Sequence, residues 1–127
     1  MVGLFLAVAA GGALGCAPGL VGTWHGSMTI PHYPTRKLTL VVSSELKGTI
    51  TVTAGQERVT APLCKLKLEE HEFSFSVDLA NPQSCDALKD PIVFRGVLGH
   101  NVLTGETTLR EKTNAIWRAF RQAPKDQ

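Results

Sequence analysis

The side chains with the widest chemical range are four histidines, His25, His32, His71 and His100, and three cysteines, Cys16, Cys64 and Cys85. The histidines show neither H-x-x-x-H nor H-x-H spacing and the cysteines form no C-x-x-C pair, so no zinc ligand set is written locally. His25 falls on the outward parity of a strand-like segment, and the other three histidines sit in loops. Glu69, Glu70 and Glu72 gather around His71, a grouping that could move protons, but a charged hairpin tip serves first to solubilise a turn. The sequence has no G-x-S-x-G elbow, and a Cys–His nucleophile would require a free thiol. Gly11-Gly12 and Gly96-x-x-Gly99 lack the strand–loop–helix setting of a phosphate loop. The expectation is a non-enzymatic chain with no catalytic residues, no metal and no cofactor.

The elements that would position any site are strands. From residue 20 onward hydrophobicity alternates with period two, and no stretch sustains a 3.6 repeat. Trp24, Gly26, Met28 and Ile30 share one face of the first segment. Leu38, Leu40 and Val42 follow, then Ile50 and Val52, then Leu66 and Leu68. Glu72 to Leu79 alternates most regularly, with Phe73, Phe75, Val77 and Leu79 on one side and Glu72, Ser74, Ser76 and Asp78 on the other. Ile92, Phe94, Gly96 and Leu98 give the next strand, then Leu103, Gly105, Thr107 and Leu109. Ile116, Arg118 and Phe120 give the inner face of the last, leaving Trp117 on its outward parity. A short strand at Arg58 to Thr60, separate from or continuous with Leu63 to Leu68, brings the count to about eight.

Most connections are of hairpin length: Ser43 to Gly48, Ala54 to Glu57, Glu69 to Glu72, Gly99 to Asn101 and Arg110 to Asn114. Sequential half-buried strands joined this way are antiparallel neighbours, and eight of them remove their exposed edges by closing on themselves. The expected fold is an all-β, eight-stranded antiparallel up-and-down barrel, with a two-sheet sandwich as its rival. Ala80 to Pro91 is the one long connection. The 127-residue length suits a single domain. A net charge of +2 with interspersed signs gives no basic stripe for nucleic acid.

Residues 1–15 read as a signal peptide. Val2 to Leu14 contains only Gly, Ala, Val, Leu and Phe, and no charged side chain precedes Arg36. Ala13-Leu14-Gly15-Cys16 resembles the bacterial lipoprotein cleavage box, which implies lipidation of Cys16 as the first mature residue, a membrane partner through the lipid, and export to the periplasm or cell surface. The mature domain would then be 16–127. An odd cysteine in an exported protein needs an explanation. Lipidating Cys16 leaves Cys64 and Cys85 to pair, closing a loop worth about 3 kcal/mol. The alternative is two buried free thiols in a reducing compartment.

Gly22-Thr23-Trp24 on a first strand, an up-and-down meander and a basic residue on the last strand resemble the lipocalin and calycin barrels. That resemblance implies a Trp24 plug at one end with a basic side chain across it. Arg118, assigned inward with Ile116 and Phe120, is the matching residue; the alternative has Arg118 facing solvent and Arg121 in its place. The avidin relatives use several Trp and a Tyr around biotin, whereas this chain has Trp24, Trp117 and Tyr33, so biotin is not expected. The interior would be lined by Met28, Leu40, Ile50, Phe73, Phe75, Phe94 and Phe120. The expected function is a cell-envelope lipoprotein whose barrel binds a small apolar ligand. The alternative is an interaction or inhibitor module that meets another envelope protein through loops on a filled barrel.

Overall fold

Alternation along the chain becomes nine strands in the computed structural model, which describes residues 19–86, 88–109 and 113–122. They are β1 (Gly22–Thr29), β2 (Arg36–Val42), β3 (Gly48–Ala54), β4 (Glu57–Pro62), β5 (Cys64–Glu69), β6 (Glu72–Val77), β7 (Ile92–Leu98), β8 (Val102–Leu109) and β9 (Thr113–Arg121). The ladder runs β4-β3-β2-β1-β9-β8-β7-β6-β5, and every pairing is antiparallel. The result is an all-β, up-and-down, nearly closed barrel, compatible with a lipocalin-like one. The signal segment 1–15 and Cys16 lie outside the described residues.

The count of nine rather than eight has a local cause. β4 and β5 are separated by Leu63 alone. Since neighbours along the ladder are antiparallel, both run in the same direction. The first half of this one stretch pairs with β3 and the second half with β6. Lys65 adopts a left-handed backbone, φ 57°, inside an irregularity between Cys64 and Lys67. A bulge there bends the strand away from one neighbour and toward the other. First and last strands pair directly, Trp24 opposite Arg121 through Thr29 opposite Ile116, so the break in the ladder lies between β4 and β5.

Edge position explains Pro62. The Leu63 N–H donates to the Gly48 carbonyl at 2.9 Å. Antiparallel pairing alternates, so Leu63, Ala61, Val59 and Glu57 turn their backbone groups to β3, while Arg58, Thr60 and Pro62 turn theirs outward from the ladder. A proline is tolerated where no ladder donor is needed. Gly55 supplies the hairpin before it with φ 65° at the first central position, and Gln56 has no positive φ, the pattern of a II′ turn.

Inward parity fills the barrel. Trp24, Met28, Leu38, Leu40, Ile50, Phe73, Phe75 and Phe94 are all buried. On β9 the sequence assignment is reversed: Ala115, Trp117 and Ala119 point in, Arg118 is exposed, and Ile116 and Phe120 are 70% and 53% exposed. Packing gives the reason. Trp117 sits edge-on to Phe73 and Phe94, centroids 5.7 and 5.9 Å away, and Phe75 stacks on Phe94 at 5.0 Å. Room for the indole comes from Gly96 and Gly105, paired across β7 and β8. A Cβ on Gly105 would lie 2.8 Å from Trp117 Cε2 and 2.0 Å from the Arg95 carbonyl oxygen. Each large aromatic so buried contributes about 1.5–3 kcal/mol.

Candidate functional site

One end of the barrel is shut by the first and last strands. Trp24 is fully buried, and its Nε1 donates to the Leu20 carbonyl at 3.0 Å. The guanidinium carbon of Arg121 lies 4.2 Å from the ring centroid, within cation–π range. The same fork donates to the Val21 carbonyl at 2.7 Å, the Gly19 carbonyl at 2.5 Å and Asn101 Oδ1 at 3.0 Å. Gly22 has φ 138°, and a Cβ there would fall 2.8 Å from Arg121 Nη1. The glycine of Gly22-Thr23-Trp24 is therefore required by the backbone, and a side chain there would also crowd the guanidinium. The basic residue across the plug is Arg121, not Arg118. Inward parity on β9 belongs to Trp117, Ala119 and Arg121.

The long β6–β7 connection is organised from its first residue. β6 ends at Val77, and Asp78, placed by alternation on the outward face, is only 2% exposed, covered by the connection it starts. Its carboxylate accepts four backbone N–H groups, from Ala80 and Asn81 at 3.1 Å and from Lys89 and Asp90 at 2.7 and 3.3 Å. These bonds, the Lys89 N–H foremost, outweigh desolvation and hold the carboxyl below its ordinary range. Cys64 and Cys85 are joined by a disulfide, which fastens the same connection to the bend between β4 and β5.

The other end is open. A cleft of about 370 Å³ is floored by Met28, Ile30, Val52, Phe94 and Ile92 and walled by Val59 and Leu79. Val59, Leu79 and Ile92 are only half-buried. Arg36, Glu57 and Asp90 stand among the lining residues, and none of these three side chains makes a hydrogen bond or ion pair among the described residues. Its lining joins β4, the strand that ends the ladder, to both ends of the β6–β7 connection, Leu79–Ala80 and Asp90–Ile92. A second, larger depression of about 760 Å³ lies on the outer face over the Gly96–Gly105 pair, ringed by Lys67, Glu69, Glu72, Arg95 and Glu106. Its charged rim and open form suit solvent better than an apolar ligand.

Of the residues expected to line the interior, Met28 and Phe94 reach the cleft. Leu40, Ile50 and Phe75 are packed core and line neither cavity, and Phe120 faces out. The histidines are exposed, His25 between Thr39 and Gln122 on the outer face. The cleft residues Arg36, Val59, Leu79 and Asp90 were not singled out from sequence. The available signal was parity: Arg36 belongs with Leu38, Leu40 and Val42, and a charge on an apolar inner face is costly unless it lies at an opening.

The fold and cleft together define a small antiparallel barrel with one plugged and one open end. No protein-family model, curated protein or solved structure matches the chain.

Proposed function

We propose that this chain is a non-enzymatic, lipocalin-like lipoprotein of the cell envelope that holds a small apolar ligand in the cleft at the open end. The observation that carries this reading is the cleft: about 370 Å³, floored by apolar side chains and bordered by a few polar groups, within the range of small-molecule sites. Lipidation at Cys16 would fit this geometry. Arg121 clamps the Gly19 and Val21 carbonyls beside the plugged end. Three residues of chain reach at most roughly 10 Å, so an acyl anchor on Cys16 would turn the plug toward the membrane and the cleft away from it.

The binding test is titration with the neutral fluorophore N-phenyl-1-naphthylamine. Emission should rise with wild type and not with Ala54→Phe, which fills the cleft, provided far-UV circular dichroism shows both folded. Equal enhancement by both proteins places the ligand elsewhere. Metabolic labelling with a fatty-acid analogue should mark wild type and spare Cys16→Ala; equal labelling removes the anchor. One observation favours the interaction-module reading. Val97, Ile116 and Phe120 are 50% or more exposed on the outer face of β7 and β9, around Arg118. A photo-crosslinker at position 116 that captures one envelope protein would support that reading, and a clean blank would end it.

A further inference from the structure

The cleft is lined in part by β4, the strand that ends the ladder, and that adjacency says what kind of ligand fits. We infer that the ligand is a short apolar peptide in extended conformation, added as a strand to the free edge of β4. The inference rests on the cleft being the binding site and adds the chemistry of its occupant.

The hydrogen-bond phase set by Leu63 and Gly48 leaves Arg58 and Thr60 with their N–H and C=O groups directed away from β3. No backbone partner for these groups occurs among the described residues, since β4 ends the ladder, and the residues on either side of Arg58, Glu57 and Val59, line the cleft. Unpaired edge groups are a template for another strand. A strand laid against Arg58 and Thr60 would place alternate side chains over Val59 and toward Val52 and Phe94, on the apolar floor. Main-chain pairing and alternate pockets are the two halves of strand-addition recognition.

Charge separates this ligand from a fatty amphiphile. Arg36 and Glu57 point inward from β2 and β4 with Ala54 of β3 between them: Lys37 pairs with Thr53 and Ala54 with Glu57. Two strand spacings, roughly 10 Å, keep the charges apart. Asp90 adds a second carboxylate from the far wall. A monoanionic head group would meet one cation and two anions. A polyamide is neutral and offers donors and acceptors alternately, which suits a rim carrying both signs.

The experiment uses the full chain and the probe acetyl-Val-Thr-Val-Thr-Val-amide, with octanoate as the lipid-like comparison. Binding of the peptide should slow hydrogen exchange at the Arg58 and Thr60 amides and leave Val59 and Ala61, already bonded to β3, unchanged. Octanoate should not slow Arg58 or Thr60. Two further peptides carry N-methyl groups on the valines or on the threonines; one set removes the donors that face β4, so one peptide should weaken by about tenfold or more relative to the other. Thr60→Pro deletes an edge donor, keeps the backbone bonds to β3 and loses only the exposed hydroxyl bond to Thr51; it should weaken the peptide similarly while N-phenyl-1-naphthylamine binds as before. Peptide binding without slowed exchange at Arg58 and Thr60, or equal affinity of both N-methylated peptides, overturns the inference. Naphthylamine binding without peptide binding overturns strand addition and leaves the small-ligand reading standing; failure of both probes overturns both.

Discussion

Replacing Arg121 by Met separates the two candidate arginines and measures what the plug is worth. Methionine keeps most of the stem and removes the fork. The loss includes a ring contact at 4.2 Å, worth about 0.5–2 kcal/mol. It also includes charge-assisted bonds to the Val21 and Gly19 carbonyls and Asn101, each worth about 1.5–3 kcal/mol where solvent is excluded. Arg121 is half-buried, so water recovers part of each bond. A net loss of about 2–4 kcal/mol follows, the upper end of ordinary point substitutions. Arg118 is exposed with no contact to Trp24, and Arg118→Met should stay within about 0.5 kcal/mol. Urea unfolding followed by far-UV circular dichroism gives both values, with equal m confirming a common unfolded state. A cycle with Trp24→Phe isolates the ring term as a coupling of about 0.5–2 kcal/mol. If Arg118→Met costs more than Arg121→Met, the assignment of the plug is wrong.

Three other perturbations have definite outcomes. Replacing Cys64 and Cys85 together by alanine frees a connection of sequence separation 21 and should cost about 3 kcal/mol, with limited proteolysis cutting first between residues 79 and 91; unchanged midpoint and cleavage pattern would contradict this. Asp78 has a lowered folded pKa from its four N–H partners, so the unfolded chain binds the proton more readily. Its contribution is therefore complete above the ordinary carboxylate value of 3.8, and it is lost as pH falls through that value toward the folded one. Asp78→Asn should flatten the decline of melting temperature on acidification, and an unaltered slope would clear Asp78 of the role. Gly105→Ala pushes a methyl to 2.0 Å from the Arg95 carbonyl oxygen and should cost about 1–3 kcal/mol or more. Gly99→Ala, whose nearest contact is the Val102 side chain at 3.1 Å, is the mild control in the same melts.

Most strands were legible because their two faces differ sharply. Phe73, Phe75 and Val77 against Glu72, Ser74 and Ser76 leave no choice of face, and all three apolar residues are buried. β9 misleads because both faces are apolar. Ile116 and Phe120 outweigh Ala115 and Ala119 in bulk, yet alanine is what the inner face needs beside an indole already in contact with Phe73 and Phe94. Volume at one position is set by its neighbours across the barrel, which period-two reading does not include. Gly96 and Gly105 were the available clue: two inner-facing glycines that pair across strands mark a place where something large enters from a third. Asp78 was hidden for a different reason. Alternation predicts a face only while the strand lasts, and β6 ends one residue earlier.

The same limit explains why the fold was easier to read than the candidate site. The cleft is made where regular structure stops, by the end of the ladder at β4 and a connection held by Asp78 and Cys85. None of these is periodic, so none has a repeat to detect. What links them is closure. A stretch from Glu57 to Glu69 that pairs first with β3 and then with β6 closes the barrel by passing diagonally from one neighbour to the other. Its first half then lacks a partner on one side, next to the open end. The disulfide and the four bonds to Asp78 fix the connection whose two ends line the same cleft as Glu57 and Val59. An unpaired edge ordinarily invites aggregation, and Pro62 withdraws its donor at the upper end of β4. Arg58 and Thr60 keep theirs, at the level of the apolar floor. Blunting one end of the edge and leaving the other able to pair is the arrangement expected of a strand that receives a ligand.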